Sequence, residues 1–81
     1  MKLPRDIGGQ ELPKLLGKYG YTVTRQTGSH IRLTTLENGE HHIKVPGHPE
    51  LRIGTLNAIL TDVAYHLDLD RNQLIQELFG K

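Results

Sequence analysis

The chain has 81 residues, a net charge of +1 and no cysteine, so we expect one domain, residues 1–81, with a thin core. Without cysteine it has neither disulfides nor a cysteine-ligated zinc site, and no apolar run approaches the roughly 20 residues of a membrane span. The segment Met1–Asp6 lacks the apolar run of a signal peptide. A cytoplasmic protein without membrane attachment is therefore expected.

The first periodic segment, Gln10–Tyr19, predicts an amphipathic helix, because apolar residues recur in it at i, i+3, i+4 and i+7. Pro13 suits the first turn of a helix. Asp6 or Gly8 is the candidate cap at the start, and Gly20 is expected to end the helix. The apolar positions are Leu12, Leu15, Leu16 and Tyr19.

Three segments with alternating apolar and polar residues follow, and they predict an antiparallel meander. These strands are Tyr21–Arg25, His30–Thr34 and His42–Val45. Turns are expected at Gln26–Ser29 and at Glu37–Glu40, where Asn-Gly is a strong hairpin signal. The side chains predicted to pack on one face are Tyr21, Val23, Ile31, Leu33, Ile43 and Val45.

Two more helices are predicted after the segment Pro46–Pro49 breaks the sheet. The first begins near Gly54, with Thr55 as its candidate cap, and the second begins at Asp70. The predicted order is α-β-β-β-α plus a short C-terminal helix. This is an α+β fold whose three-stranded antiparallel sheet has helices on one face and solvent on the other. The apolar stripes are Leu56, Ile59, Leu60, Val63 and Leu67, then Leu74, Ile75, Leu78 and Phe79.

Strand parity places basic and polar side chains on the open face of the sheet, with no carboxylate from these strands. Such a face can bind an anion. An open antiparallel face is expected to be polar even without a function, so the pattern alone leaves both interpretations open. The outward residues are His30, Arg32, Thr34, His42 and Lys44, joined by Thr22 and Thr24 from the first strand.

The histidines raise the alternative of a metal site, because four of the five lie between His30 and His48. The adjacent His41 and His42 point to opposite faces of a strand and cannot easily bind one ion. Their spacing matches no zinc pattern, so we expect no metal and no other cofactor. His41 is predicted to be structural, and no function is expected for His66.

A histidine beside cationic groups suits the cleavage of RNA. Histidine ordinarily exchanges protons near neutral pH, and RNA supplies its own nucleophile, the ribose 2′-hydroxyl. A protein that moves that proton and stabilises the charged phosphorane needs little else. Ser29 next to His30 does not form a nucleophile–base pair, since neighbouring side chains on a strand diverge.

Several segments are similar to one known family. Arg25-Gln26-Thr27-Gly28-Ser29-His30 resembles the signature of the HicA toxins, the mRNA interferase half of the HicA–HicB toxin–antitoxin systems. The segments Leu15–Tyr21, Val45–His48 and Leu51–Leu60 resemble other parts of that family in order and spacing. Together the similar segments cover nearly the whole chain.

The resemblance implies a fold like that of double-stranded RNA-binding domains and a metal-independent endoribonuclease that cleaves single-stranded RNA or mRNA. It also implies neutralisation by a HicB-type antitoxin, for which we expect an acidic surface near His30. The catalytic histidine of the family corresponds to His30. The residues expected to bind RNA around it are Arg25, Gln26, Gly28, Ser29, Arg32, His42 and Lys44.

Two other functions remain open at this point. The first is a non-catalytic RNA-binding module, which the fold analogy favours; double-stranded RNA binders contact phosphates and 2′-hydroxyls across successive grooves. The second is a degenerate toxin that is retained only as the partner of its antitoxin.

Overall fold

A computed structural model describes residues 3–4 and 6–80 of the chain. Met1, Lys2, Arg5 and Lys81 lie outside the described residues. The expectations about the segment Met1–Asp6 and about the outer limits of the domain therefore rest partly on residues that the structure does not describe.

The described residues form the predicted α-β-β-β-α order with an additional C-terminal helix. None of these helices combines the length and apolar composition of a membrane span. The elements are α1 Leu12–Leu16, which continues as a 3₁₀ turn Gly17–Tyr19, β1 Thr22–Thr27, β2 His30–Thr35, β3 His41–Pro46, α2 Ile53–Leu67 and α3 Arg71–Phe79.

The sheet has the order β1-β2-β3 with antiparallel neighbours, as the meander predicted. Gly28 and Ser29 alone connect β1 to β2, so Thr27 and His30 are direct partners. The connection from β2 to β3 is longer, residues 36–40, and contains Asn38 with a φ of 58°. The helices cover one face of this sheet, on which Ile31, Leu33, Ile43 and Val45 belong to one buried core with α1, α2 and α3.

Strand β1 departs from the predicted alternation. A β-bulge lies between Val23, which pairs with Leu33, and Arg25, which pairs with Arg32. Tyr21 is buried, as predicted, but Val23 is 53% exposed, so its predicted packing is wrong. Val23 shares the face of Leu33, yet β1 is an edge strand, and every residue of β1 is exposed.

The helix starts were only partly predicted. Asp70 caps α3 as expected, because its Oδ1 accepts hydrogen bonds from the backbone N–H groups of Asn72 and Gln73. Thr55 is not a cap: α2 already begins at Ile53, so Thr55 lies inside its first turn. The first turn of α2 instead closes on the carbonyl of Arg52, which accepts from the Leu56 N–H at 2.9 Å.

The start of α1 also differs from the prediction. Neither Asp6 nor Gly8 caps this helix, which follows Glu11 rather than beginning at residue 10. Glu11 reaches back, and its Oε1 accepts from the Gly8 N–H at 3.3 Å. Pro13 occupies the first turn and Gly20 ends the 3₁₀ turn, both as predicted.

The segment before α1 packs closely against the chain that leaves β3. The Gly9 N–H donates to the His48 carbonyl at 2.9 Å. A Cβ on Gly9 would overlap the carbonyl of Pro46 and approach the Gly47 Cα to 2.8 Å. Since backbone cannot move away as a flexible side chain can, only glycine fits here.

Replacement of Gly9 by alanine is expected to lower the free energy of unfolding by about 1–3 kcal/mol, the usual cost of overpacking a close contact. Urea denaturation followed by circular dichroism measures this loss. Gly17→Ala is the matched control, because a Cβ there meets nothing within 4 Å. Equal stabilities for the two variants would contradict the close packing at Gly9.

Candidate active site

Three basic residues lie side by side across the open face of the sheet. Arg32 pairs with Arg25 on one side and with Lys44 on the other. Directly opposed residues have Cβ atoms about 5 Å apart, and like charges in such positions repel. Within residues 3–4 and 6–80, both ion pairs involve histidine and a carboxylate, so this cationic row has no carboxylate partner. The row is therefore suited to bind an anion.

His30 lies at one end of this face. It is the first residue of β2 and precedes Arg32 by two positions, which puts both side chains on the same face roughly 7 Å apart along the strand. Both line an open depression of about 420 Å³. The depression is lined by Arg25, Thr27, His30, Ile31, Arg32 and Lys44.

The turn before His30 is fixed by its own backbone and by the chain after β3. Gly28 has a φ of 56°, as the first position of a two-residue II′ hairpin turn requires. The Ser29 carbonyl accepts from the Gly47 N–H at 2.5 Å. The position of His30 is therefore fixed by the turn before it and by the chain that leaves β3.

The structure brings together some of the residues proposed from the sequence and separates others. Arg25, His30, Arg32 and Lys44 share the depression. Gln26 pairs with Ile31 and so lies on the opposite face from His30. The other three, Gly28, Ser29 and His42, do not line the depression.

Thr27 lines the depression and was not proposed from the sequence. The length of the turn before His30 is the feature that identifies Thr27. Once the turn is restricted to Gly28 and Ser29, Thr27 and His30 become direct partners and must share a face. In the predicted four-residue turn Gln26–Ser29, Thr27 has no strand partner and so could not be assigned to a face.

His42 is linked to the cationic row by a line of hydrogen bonds across the face. Its Nε2 lies 2.8 Å from Oε2 of Glu40, and its Nδ1 lies 2.8 Å from Oγ1 of Thr34. Thr34 Oγ1 is 2.8 Å from Thr24 Oγ1, which accepts from Arg32 Nε at 3.5 Å. The strands contribute no carboxylate to this face, as predicted, but Glu40 reaches it from the loop before β3.

The protonation state of His42 sets the direction of this line. With neutral His42, Thr24 donates to Thr34, and Thr34 donates to Nδ1. With charged His42, Nδ1 donates and both hydroxyls reverse, which leaves Thr24 to donate to the Arg32 carbonyl at 3.4 Å. Arg32 Nε can donate to Thr24 in both cases, so the two threonines link His42 to Arg32 in either state.

The two histidines of the open face are too far apart to act on one phosphate. His42 pairs with Thr34, four positions along β2 from His30. At about 3.3 Å per residue, this separation is roughly 13 Å. Only one of these histidines is thus within reach of an anion bound in the depression.

A comparison with known protein families matches most of the chain. A family model described as the HicA toxin of bacterial toxin–antitoxin systems matches residues 9–64. The chain belongs to the HicA toxin family. No curated protein and no solved structure matches the chain.

The part that matches the HicA family contains the whole open face and most of α2, whereas α3 lies beyond it. As a HicA toxin, the protein is one half of a toxin–antitoxin pair. In this fold α3 completes the core, since Leu74 and Ile75 are fully buried.

Two other histidines of this HicA toxin, His41 and His66, make structural contacts. His41 Nδ1 lies 2.7 Å from the Tyr21 hydroxyl, and His41 Nε2 lies 3.4 Å from Asp62. Its ring stacks on that of His66 at a centroid distance of 4.2 Å. His41 was predicted to be structural, and His66, for which no function was expected, binds the Glu37 carbonyl through Nε2.

The histidines do not converge on one point. Among the described residues, no three side chains of histidine, cysteine, aspartate or glutamate form a group that could hold a metal ion. His41 lies beneath the sheet with Tyr21, while His42 lies on the open face with Thr34. The two adjacent residues therefore have opposite orientations, as strand parity predicts.

Burial, together with the carboxylates of Asp62 and Glu37, raises the pKa of Tyr21 from 10.0 to about 12. The folded state therefore holds this phenol proton more tightly than the unfolded state does. The contribution of this proton to the free energy of unfolding is complete below pH 10 and is lost as the pH rises to about 12. Burial and Glu77 raise the pKa of Tyr19 in the same direction. Stability should fall over this interval.

The variant Tyr21→Phe is expected to remove one phenolate transition near pH 12 and to make unfolding less dependent on pH above 10. Ultraviolet absorbance titration and urea denaturation at several alkaline pH values measure the two effects. Tyr65→Phe is the control, since Tyr65 is 88% exposed. An unchanged alkaline slope in Tyr21→Phe would contradict this assignment.

Proposed function

We propose that this HicA toxin is a metal-independent endoribonuclease that cleaves mRNA, and that His30 transfers the proton at the cleaved phosphodiester. The observation that carries the proposal is the row of Arg25, Arg32 and Lys44, unpaired by carboxylate within the described residues, with His30 beside it in one depression. Opposed cations repel one another until an anion lies between them. A phosphodiester is such an anion.

RNA chemistry completes the site. The ribose 2′-oxygen forms a bond to the adjacent phosphorus, and the bond from phosphorus to the 5′-oxygen breaks. The proton leaves the 2′-hydroxyl and a proton reaches the departing 5′-oxygen. The products are a 2′,3′-cyclic phosphate and a 5′-hydroxyl. His30 carries out one of these two proton transfers, while Arg32 and Lys44 stabilise the negative charge that develops on the phosphorane.

The other residues of the face hold the RNA strand. Arg25 extends the row onto the edge strand β1, so the three cations form a wide band that the phosphates of an RNA strand can contact. Ser29, in the turn next to His30, has a hydroxyl that can donate to a phosphate oxygen. His42 supports the row through Thr34 and Thr24. Gln26 contacts RNA only if the strand bends around the edge of the sheet.

An exposed cationic site also indicates how the toxin is restrained. We propose a HicB-type antitoxin that presents carboxylates to Arg25, Arg32 and Lys44 and covers His30. Electrostatic complementarity of this kind sets the specificity and association rate of a complex. Addition of the purified antitoxin should therefore suppress RNA cleavage, with an effect that weakens as the salt concentration rises.

His30→Ala is expected to lower the rate of RNA cleavage by roughly 100- to 10,000-fold, the range that a general acid or base contributes. Labelled single-stranded RNA incubated with the purified protein and EDTA gives the measurement. His48→Ala is the control, because His48 is exposed and lies outside the depression. A cleavage rate that rises with pH assigns His30 as the base, and a rate that falls with pH assigns it as the acid.

Four results would contradict the proposal. Full cleavage by His30→Ala removes the catalytic role, and retention of RNA without cleavage by the wild type favours the alternative of an RNA-binding module. Loss of cleavage in EDTA would favour a metal-dependent reaction. Replacement of the cleaved nucleotide by its 2′-deoxy form should abolish cleavage, and continued cleavage would exclude the 2′-hydroxyl as nucleophile.

Lys44→Ala is expected to reduce the salt dependence of RNA binding. Each phosphate contact on single-stranded RNA contributes a slope of about 0.7 in a plot of log affinity against log salt. The measurement uses a His30→Ala background and fluorescence anisotropy at several salt concentrations. Lys14→Ala is the control, since Lys14 lies on α1 and away from the open face. Equal slopes for both variants would contradict a phosphate contact at Lys44.

A further inference from the structure

A second depression, of about 550 Å³, lies on the same sheet face at the opposite end from His30. Thr24 and Thr34 line it and also belong to the line of hydrogen bonds from His42. We call it the threonine groove. It is lined by Gly20, Thr22, Thr24, Thr34, Thr35, Leu36 and Glu37.

The threonine groove differs from the first depression in its charge. Arg25, Arg32 and Lys44 line the first depression. Among the residues that the structure describes, no cation lines the groove, and the one charged side chain that does is Glu37. A phosphate would be repelled there. Carboxylate and hydroxyl oxygens instead accept hydrogen bonds from neutral N–H donors.

The backbone of Glu37 is held at both of its polar groups. Its N–H donates to Thr35 Oγ1 at 3.1 Å, and its carbonyl accepts from His66 Nε2 at 2.9 Å. The carboxylate lies against Gly20, where a Cβ would be 2.5 Å from Oε2. Glu37 is thus positioned by α2 and by the end of β2 before any ligand arrives.

An apolar side chain stands beside this carboxylate. Leu36 is 76% exposed and lines the groove next to Glu37. Exposure of a large apolar side chain to water is unfavourable, so a ligand that covers Leu36 would gain binding free energy. An aromatic ring that packs on Leu36 and directs its edge at Glu37 would satisfy both residues.

We infer that the threonine groove is a nucleobase subsite for the same RNA strand that is cleaved at His30, and that it selects guanine. This inference rests on the proposed ribonuclease function. The Watson–Crick edge of guanine presents two adjacent donors, N1–H and N2–H, which match the two oxygens of one carboxylate. Adenine and cytosine place a ring-nitrogen acceptor beside their amino group, and uracil has one N–H between two carbonyls. Bases of single-stranded RNA are read on these edges.

The distance between the two sites fits one strand. The groove residue Thr34 is four positions along β2 from His30, which is roughly 13 Å. Stacked nucleotides rise about 3.4 Å each, so the selected guanine lies within about four nucleotides of the cleaved bond. The cationic row lies between the two sites and contacts the phosphates that connect them.

The test is cleavage of a randomised RNA pool by the wild type, by Glu37→Gln and by Glu50→Gln, followed by sequencing of the products. Glu50 is an exposed glutamate that does not line the groove. The wild type and Glu50→Gln should cut with guanine enriched at one fixed position within four nucleotides of the cleaved bond. Glu37→Gln should lose that enrichment by roughly tenfold or more and still cleave.

Inosine gives a second readout that does not depend on the folding of a variant. Inosine lacks the N2 amino group, so its substitution for the selected guanosine should slow the wild type roughly tenfold and leave Glu37→Gln unaffected. Cleavage without any positional preference, or a guanine preference that survives in Glu37→Gln, would overturn the subsite.

Failure of the ribonuclease proposal would look different, since the wild type would then leave the pool intact. In that event, binding of short oligonucleotides to the wild-type protein decides the subsite. Guanine-containing oligonucleotides should bind more tightly than their inosine counterparts, and this difference should vanish in Glu37→Gln. Equal binding of the two oligonucleotides would reject the groove as a base subsite.

Discussion

The candidate site depends on one irregularity of strand pairing, the β-bulge in β1. Without it, Thr24 would oppose Arg32 alone and Arg25 would oppose Ile31, so the Arg25 side chain would turn toward the helices. The bulge sets both Thr24 and Arg25 against Arg32. As a result Arg25 joins the cationic row, while Thr24 stays beside Arg32 and its Oγ1 accepts from Arg32 Nε. The one extra residue thus brings a third cation onto the open face without displacing Thr24.

The second support of the site is the loop between β2 and β3, which α2 holds from below. His66 Nε2 binds the carbonyls of Glu37 and Gly39, and Asn38 Nδ2 donates to the carbonyl of His66 at 2.7 Å. These contacts fix the end of the open face opposite His30, because the same loop also carries Glu40 to His42. Stacking of His66 on His41 joins the loop to the core beneath the sheet. A histidine without an expected function therefore positions two carboxylates.

Features that are determined within one short segment of the chain could be predicted from its sequence. Alternation placed His30 and Lys44 on the open face, and the N-cap at Asp70 follows from its own side chain. Arg25 could not be placed from alternation, since a bulge is defined by the pairing of two strands and leaves no signal in one. The exposure of Val23 likewise depends on how far the helices extend over an edge strand. The groove at Glu37 could not be predicted either, because its shape depends on how the loop, α2 and β2 pack together.

The low net charge of +1 and the proposed binding of RNA are compatible once the charges are located. Net charge governs long-range attraction, which is screened beyond a Debye length of about 8 Å at physiological salt. Contacts with phosphate depend instead on cations within that distance, and the pairing of Arg25, Arg32 and Lys44 concentrates them in one row. Acidic residues elsewhere on the chain lower the bulk attraction without entering the row. Such a protein is expected to bind most positions along an RNA strand weakly. Binding should be strongest where a phosphate contacts the cationic row while a base occupies the proposed threonine groove, which favours selective cleavage over indiscriminate binding.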